Sequence, residues 1–236
     1  MKLAIISGGS KGLGHAIAEK LLIAGYQVIE FSRSAPYSYS VKLDFSNPDQ
    51  MLPLLASNLE KLAAQPWDEI LVVSNAASLS PIGPTSKKNA MAVLANININ
   101  FTSAILFMSE VIKHFQQHPC RKVLVSISSG AARKAYSGWS LYCSSKAGLE
   151  SYIRTVAVEQ ESESHPFVVL NVDPGVMDTD MQALIRSSHK DDFPAVDYFI
   201  HRKESGELRT PDMVAAGIIK ILHSDAVSGE RVAVFG

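Results

Sequence analysis

Lys2–Ser7, KLAIIS, is an unbroken apolar run that passes directly into SGGSKGLG, after which Ala16–Leu22 carries an amphipathic helical pattern ending near Gly25. A strand with no polar face needs cover on both sides, as in a parallel sheet layered between helices. Gly8, Gly12 and Gly14 let the chain turn tightly between strand and helix, and such a turn carries backbone amides and a helix N-terminus towards a pyrophosphate. The spacing is GxxxGxG rather than GxGxxG. Ser7, Gly8, Ser10, Lys11, Gly12, Leu13 and Gly14 are the candidate contacts of this nucleotide cradle.

The segments that follow fit the same crevice. Gln27–Ser32 reads as a second strand, with Arg33 directly after it and no acid at its end. An acid there would hold the ribose 2′-hydroxyl of NAD and repel a 2′-phosphate, whereas Arg33 and Lys11 suit that phosphate, so NADPH is expected over NADH. Glu30 lies inside the strand and is a weaker candidate for the ribose. Ser40–Leu43 is a short third strand closing at Asp44, a carboxylate suited either to the adenine amino group or to capping a helix from about Pro48. Ile70–Ser74 is a fourth strand followed by SNAA, where Asn75 and Ala76 leave room for the cofactor ribose. Phe167–Val172 is a sixth, closing with DPGVMDT, whose Pro174, Gly175, Val176 and Thr179 face the same end.

Between them lies SISSGAARKAYSGWSLYCSSKAGL, residues 126–149. Lys122–Ser128 is a β-branched strand, and Ser128 and Ser129 stand at its carboxyl end, where open α/β sheets bind ligands. Tyr142 and Lys146 are four apart and project from one face of the helix that follows, about 6 Å apart along its axis. A phenol titrates near about 10, and a neighbouring ammonium draws it towards working pH. Of the seven tyrosines, only Tyr142 has a lysine four residues on.

The rest of the chain sets limits. With 236 residues, 47% of them hydrophobic, there is enough for one well-buried domain. A net charge of −1 without a dense basic cluster offers nothing to nucleic acid or anionic lipid. No signal peptide or membrane span is expected, and a cytoplasmic protein with Cys120 and Cys143 as free thiols is. Ala90–Phe115 reads as one long helix containing Asn96, Asn98 and Asn100, which at this spacing are not expected to share a face. His114 and His118 lack the further ligands a metal needs, so no metal is expected. Residues 176–209 carry no strand pattern and hold Met177, Met181, Phe193 and Phe199, suggesting one or two short helices forming a lid over an apolar pocket. Tyr136, Trp139, Met177 and Met181 are its candidate linings. Pro211–His223 reads as a last helix and Glu230–Phe235 as a last strand.

In order, SGGSKGLG, Asp44, SNAA, Asn100 in NFTS, Ser129, Tyr142 with Lys146, and PGVMDT resemble the short-chain dehydrogenase/reductase family over essentially the whole chain. The resemblance implies a single Rossmann domain over 1–236, a doubly wound α/β fold with about seven parallel strands in the order 3-2-1-4-5-6-7. It further implies an enzyme in which Tyr142 donates the proton and Lys146 binds the ribose and lowers the tyrosine pKa. Ser129, thirteen residues before Tyr142, would polarise the carbonyl, and Asn100 would hold a relay water. Ser7 for threonine and SNAA for NNAG are departures that keep the chemistry. GWxxYC and GVMDTxMQ are similar to the sepiapterin reductase branch, and most of all to its bacterial members that reduce benzil to (S)-benzoin. The aspartate that anchors the pterin in sepiapterin reductases has Ala233 near its place, which favours an apolar diketone. A homodimer or homotetramer acting on a small carbonyl compound is implied, and a non-catalytic NADPH-binding regulator is the remote alternative.

Overall fold

The computed structural model describes residues 1–235. The strands are β1 (Lys2–Ser7), β2 (Tyr26–Ser32), β3 (Ser40–Lys42), β4 (Glu69–Ser74), β5 (Arg121–Ile127), β6 (Val168–Asp173) and β7 (Arg231–Ala233). All pair in parallel, in the order β3-β2-β1-β4-β5-β6-β7, as expected from the sequence. The helices are α1 (Gly12–Ile23), α2 (Pro48–Ala63), α3 (Ala90–Ile97), α4 (Ser103–Phe115), α5 (Ser140–Gln160), α6 (Asp180–Arg186), α7 (Val196–Glu204) and α8 (Pro211–Leu222).

The apolar character of β1 has its reason in this layering. Leu3 and Ile5 pack on one side with Leu55 of α2, Phe107 and Val111 of α4 and Ile153 of α5. Ala4 and Ile6 pack on the other with Ile17 and Leu21 of α1 and Ile218 of α8. Alternate side chains of a strand point to opposite faces, so a strand covered on both has no place for a polar one. Chain order reverses between β1 and β4, which opens the crevice at their carboxyl ends, where Ser7 stands in register with Ser74.

Several local expectations change. The helix expected over Ala90–Phe115 is divided by a π-helical turn at Asn98–Thr102. Asn96 and Asn100 do share a face, because they are four apart, and both are buried. Helix α2 is capped by Asn47, whose side chain accepts the Gln50 amide at 3.3 Å. Asp44 instead accepts the Ser46 amide at 2.9 Å. The 26-residue run Ala90–Phe115, with a mean hydropathy of 1.6 in its most apolar window, reaches the length of a membrane span where none was expected. Its Phe107, Met108, Val111 and Phe115 are nevertheless spent on the core beside the sheet.

Candidate active site

The glycine turn is held by its own backbone and by the strand beside it. A Cβ at Gly14 would come 2.2 Å from the Gly8 carbonyl, and one at Gly8, where φ is +74°, would meet the Ala76 backbone at 2.8 Å. Neither position accepts a side chain. Ser7 is buried, and its Oγ accepts the amides of Asn75 at 2.9 Å and Ala76 at 3.2 Å, while Asn75 Nδ2 donates to the Gly8 carbonyl at 2.9 Å. Ser7 and Asn75 thus shape the cradle from behind. Gly12 opens helix α1, with Leu13 buried beneath it, and Thr179 faces Gly12 from the far side of the crevice.

Lys11 and Arg33 are exposed beyond the carboxyl ends of β1 and β2. The Lys11 ammonium donates to Asp180 at 2.5 Å, so it reaches across to the start of α6. Glu30 is fully buried and committed: it accepts the Gly9 amide at 3.1 Å, the Ser32 hydroxyl at 2.9 Å and the Ser40 hydroxyl at 2.5 Å. It is thereby removed as a ribose ligand. Tyr37, unnoticed in the sequence, stacks on His15 with ring centroids 4.6 Å apart and donates to the Ser10 carbonyl at 3.4 Å. The residues present fit a dinucleotide phosphate: a glycine-rich turn, a helix N-terminus and two exposed cations.

On helix α5, Tyr142 and Lys146 are both buried. Lys146 Nζ donates to the Ile127 carbonyl at 2.6 Å and lies 5.7 Å from the centroid of the Tyr142 ring. Ser129 starts the short turn Gly130–Ala132, and its Oγ accepts the Ala131 amide at 3.1 Å, which leaves its own proton to give. Ser128 faces the other way, donating to Glu150 at 2.6 Å. Burial pushes the Tyr142 phenol up to about 12, only partly offset by the nearby Ser129 hydroxyl. Burial pushes Lys146 down to about 8. The Tyr142 shift is set first by desolvation of the phenolate, then by the Ser129 hydroxyl, which lowers it, and by Asp173 and Cys143, which raise it.

Asn100 stands in the π-helical turn, and its side chain bonds to protein partners at both ends. Its Oδ1 accepts the Ser78 amide at 2.7 Å, and its Nδ2 donates to the Ser78 carbonyl at 2.7 Å and to Asn96 Oδ1 at 3.0 Å. Asn96 donates in turn to the carbonyls of Ser78 and Ser80 at 3.1 and 2.7 Å. The pair staples the loop after β4 to the helix. The π-helical turn itself is a feature that recurs at functional sites.

Over this centre, Trp139 stacks on Phe193 at 4.6 Å with rings 3° from parallel, and meets Tyr142 edge-on at 6.2 Å. Tyr136 and Met181 border the same cluster, with Leu79, Ile185 and Phe199, which the sequence did not single out as linings. Met177 departs from it, packing with the residues on the α1 and α8 side of the sheet. Pro174 and Gly175 make the turn after β6, Gly175 with φ of +73°, and its amide is accepted by Asp173 Oδ1 at 3.0 Å. Val176 pairs through its carbonyl with the Arg209 amide. Among the described residues no group of three or more His, Cys, Asp or Glu side chains gathers around a metal position. His118 is bonded to the Ala63 carbonyl at 3.1 Å.

Comparison with known proteins agrees with this arrangement. The family model described as short chain dehydrogenase matches residues 2–190. A benzil reductase ((S)-benzoin forming) of Bacillus subtilis (strain 168) is 36% identical over 234 residues, covering 97% of this chain and 96% of the relative. The sepiapterin reductase of Mus musculus is 30% identical over 215 residues, covering 80% and 79%. The crystal structure of the KRED1-Pglu enzyme superposes with a TM-score of 0.84 at 25% identity, over 98% of this chain and all of that one. The chain belongs to the short-chain dehydrogenase family and is an oxidoreductase of that fold.

Proposed function

We propose that the protein is an NADPH-dependent carbonyl reductase acting on an aromatic ketone or vicinal diketone, in the manner of its benzil-reducing relatives. The observation that carries this reading is the placing of Ser129, Tyr142 and Lys146 beneath an aromatic cluster of Trp139, Phe193 and Phe199. NADPH supplies hydride to the carbonyl carbon. The free proton of Ser129 and the phenol of Tyr142 hydrogen-bond the carbonyl oxygen as charge develops on it, and Tyr142 delivers the proton. A phenol held up to about 12 is fully protonated at neutral pH, the state a donor needs. Lys146 holds the ribose hydroxyls and, with water kept by the backbone near Asn100, returns the proton to Tyr142.

Gly8, Ser10, Gly12, Leu13 and Gly14 cradle the pyrophosphate through their backbone, shaped from behind by Ser7 and Asn75. Arg33, with Lys11 released from Asp180, takes the 2′-phosphate, and Asp44 the adenine amino group. Asn75 and Ala76 flank the ribose, and Pro174, Gly175, Val176 and Thr179 flank the nicotinamide. Residues 176–209 serve as the substrate-binding segment of one domain spanning 1–236. The exposed apolar side chains Met91, Leu94 and Ile97, on one face of α3, suit a homodimer or homotetramer. Two free thiols suit the reducing cytoplasm.

The substrate reading is tested by following cofactor oxidation with benzil and with sepiapterin in parallel, each with NADPH and NADH. Fast turnover of benzil with NADPH and slow turnover of sepiapterin is expected. Ala233 leaves the end of β7 without a carboxylate of its own, and Asp173 beside it is tied to Arg231 at 2.6 Å. Faster sepiapterin turnover would replace the diketone with a pterin; a preference for NADH would overturn the role of Arg33.

A further inference from the structure

Beneath the catalytic centre lies a buried charge network to which neither the motif spacing nor the mechanism above gives a part. Glu150 is one helical turn beyond Lys146 on α5 and only 4% exposed. Its Oε1 accepts the Ser128 hydroxyl at 2.6 Å and Arg231 Nε at 2.7 Å, and Arg133 Nε lies 3.7 Å from its Oε2. Arg231, on the edge strand β7, sends a second nitrogen to Asp173 Oδ2 at 2.6 Å. Asp173 in turn accepts the Gly175 amide. One guanidinium therefore joins the helix carrying Tyr142 and Lys146 to the end of β6 and its Pro174–Gly175 turn, and Glu150 adds Ser128, the neighbour of Ser129, to the same network.

A buried ion network is costly to desolvate and is weak evidence for stability alone. Its position is informative. We propose that Arg231 is a positioning residue of the reduction: by bridging Glu150 and Asp173 it fixes the Pro174–Gly175 turn against the catalytic helix and balances the Asp173 charge beside Tyr142. The inference rests on Tyr142 being the group that exchanges a proton with substrate. The ionisable groups facing Tyr142 are Lys146 and Cys143 from its own helix and Asp173 from β6, with the Ser129 hydroxyl from the turn after β5. Asp173 opposes the phenolate, and Arg231 is its direct counter-ion.

The test has two readouts: the acid limb of alcohol oxidation with NADP+, where the phenolate is the base and the positive nicotinamide of the bound cofactor favours it, and the affinity of each variant for NADP+ by fluorescence titration. The second needs no turnover, so a failed reductase reading leaves it intact. Arg231→Met is expected to move the limb upwards by about half a unit to one unit, since an unbalanced carboxylate disfavours phenolate, and to weaken NADP+ affinity several-fold, because the turn loses its brace. Arg231→Lys should keep the limb near the wild-type position, and Arg231→Met/Asp173→Asn should return it there. Should Arg231→Met fail to fold, Asp173→Asn alone carries the test, with a downward shift expected. An unmoved limb in Arg231→Met or Asp173→Asn, or a double variant that stays with Arg231→Met, overturns the proposal, because a merely structural arginine predicts no charge rescue.

Discussion

Lys146 Nζ donates to the carbonyl of Ile127, the last residue of β5, while standing 5.7 Å from the centre of the Tyr142 ring. One strand end thus fixes the cation of the site and, two residues on, carries the hydroxyl of Ser129. Burial then separates the two titrations, the phenol upwards and the ammonium downwards.

The Lys146 shift has a direct consequence for cofactor binding. With its pKa held down to about 8, the side chain is charged below that value and loses its proton as pH rises through it. Affinity for NADPH, measured by fluorescence titration, is expected to weaken by roughly three- to tenfold between pH 7 and 9, as a charge-assisted hydrogen bond becomes a neutral one. In Lys146→Met the same titration should be weak and flat.

Arg33 is expected to discriminate between cofactors. Arg33→Ala should lower kcat/KM with NADPH by about tenfold or more, the loss of a charge-assisted contact to phosphate, and leave the value with NADH nearly unchanged. Steady-state rates with both cofactors check it.

Gly14→Ala places a Cβ 2.2 Å from the Gly8 carbonyl and 2.7 Å from Asn75 Nδ2. The turn has no free volume to yield, so loss of nucleotide binding is expected together with a fall in Tm of several degrees, corresponding to about 1–3 kcal/mol of overpacking. Calorimetry with and without NADPH separates the two effects.

Phe193 is fully buried against Trp139. Phe193→Ala removes the ring that holds Trp139 over Tyr142, and the KM for benzil is expected to rise about tenfold while NADPH affinity changes little, since the ring lies on the substrate side. The cost of opening a core site of this size, about 3–5 kcal/mol, should appear as easier proteolysis within 176–209.

Much of this site was legible because its signals are local. The alternation of Leu3 and Ile5 with Ala4 and Ile6, the glycines of the first turn and the four-residue step from Tyr142 to Lys146 each state their geometry within a few residues. What was not legible depends on contacts distant in sequence. The asparagine motif does not disclose that Ser78, 22 residues earlier, pairs with both ends of the Asn100 amide. Arg231 lies in the stretch read as the last strand, and its partner Glu150 is 81 residues away. The burial of Tyr142 is of the same kind: spacing reveals the ammonium, whereas Phe193 and helices α6 and α7 close around the phenol from far along the chain.

The most direct test of the central claim is the rate of NADPH oxidation with benzil by purified wild-type protein and by Tyr142→Phe, alongside NADPH affinity for each. The account predicts a fall of roughly 10²-fold or more in turnover with affinity retained, as expected when a general acid is removed from an otherwise intact site. A variant that turns over near the wild-type rate would contradict it and move the proton donor elsewhere.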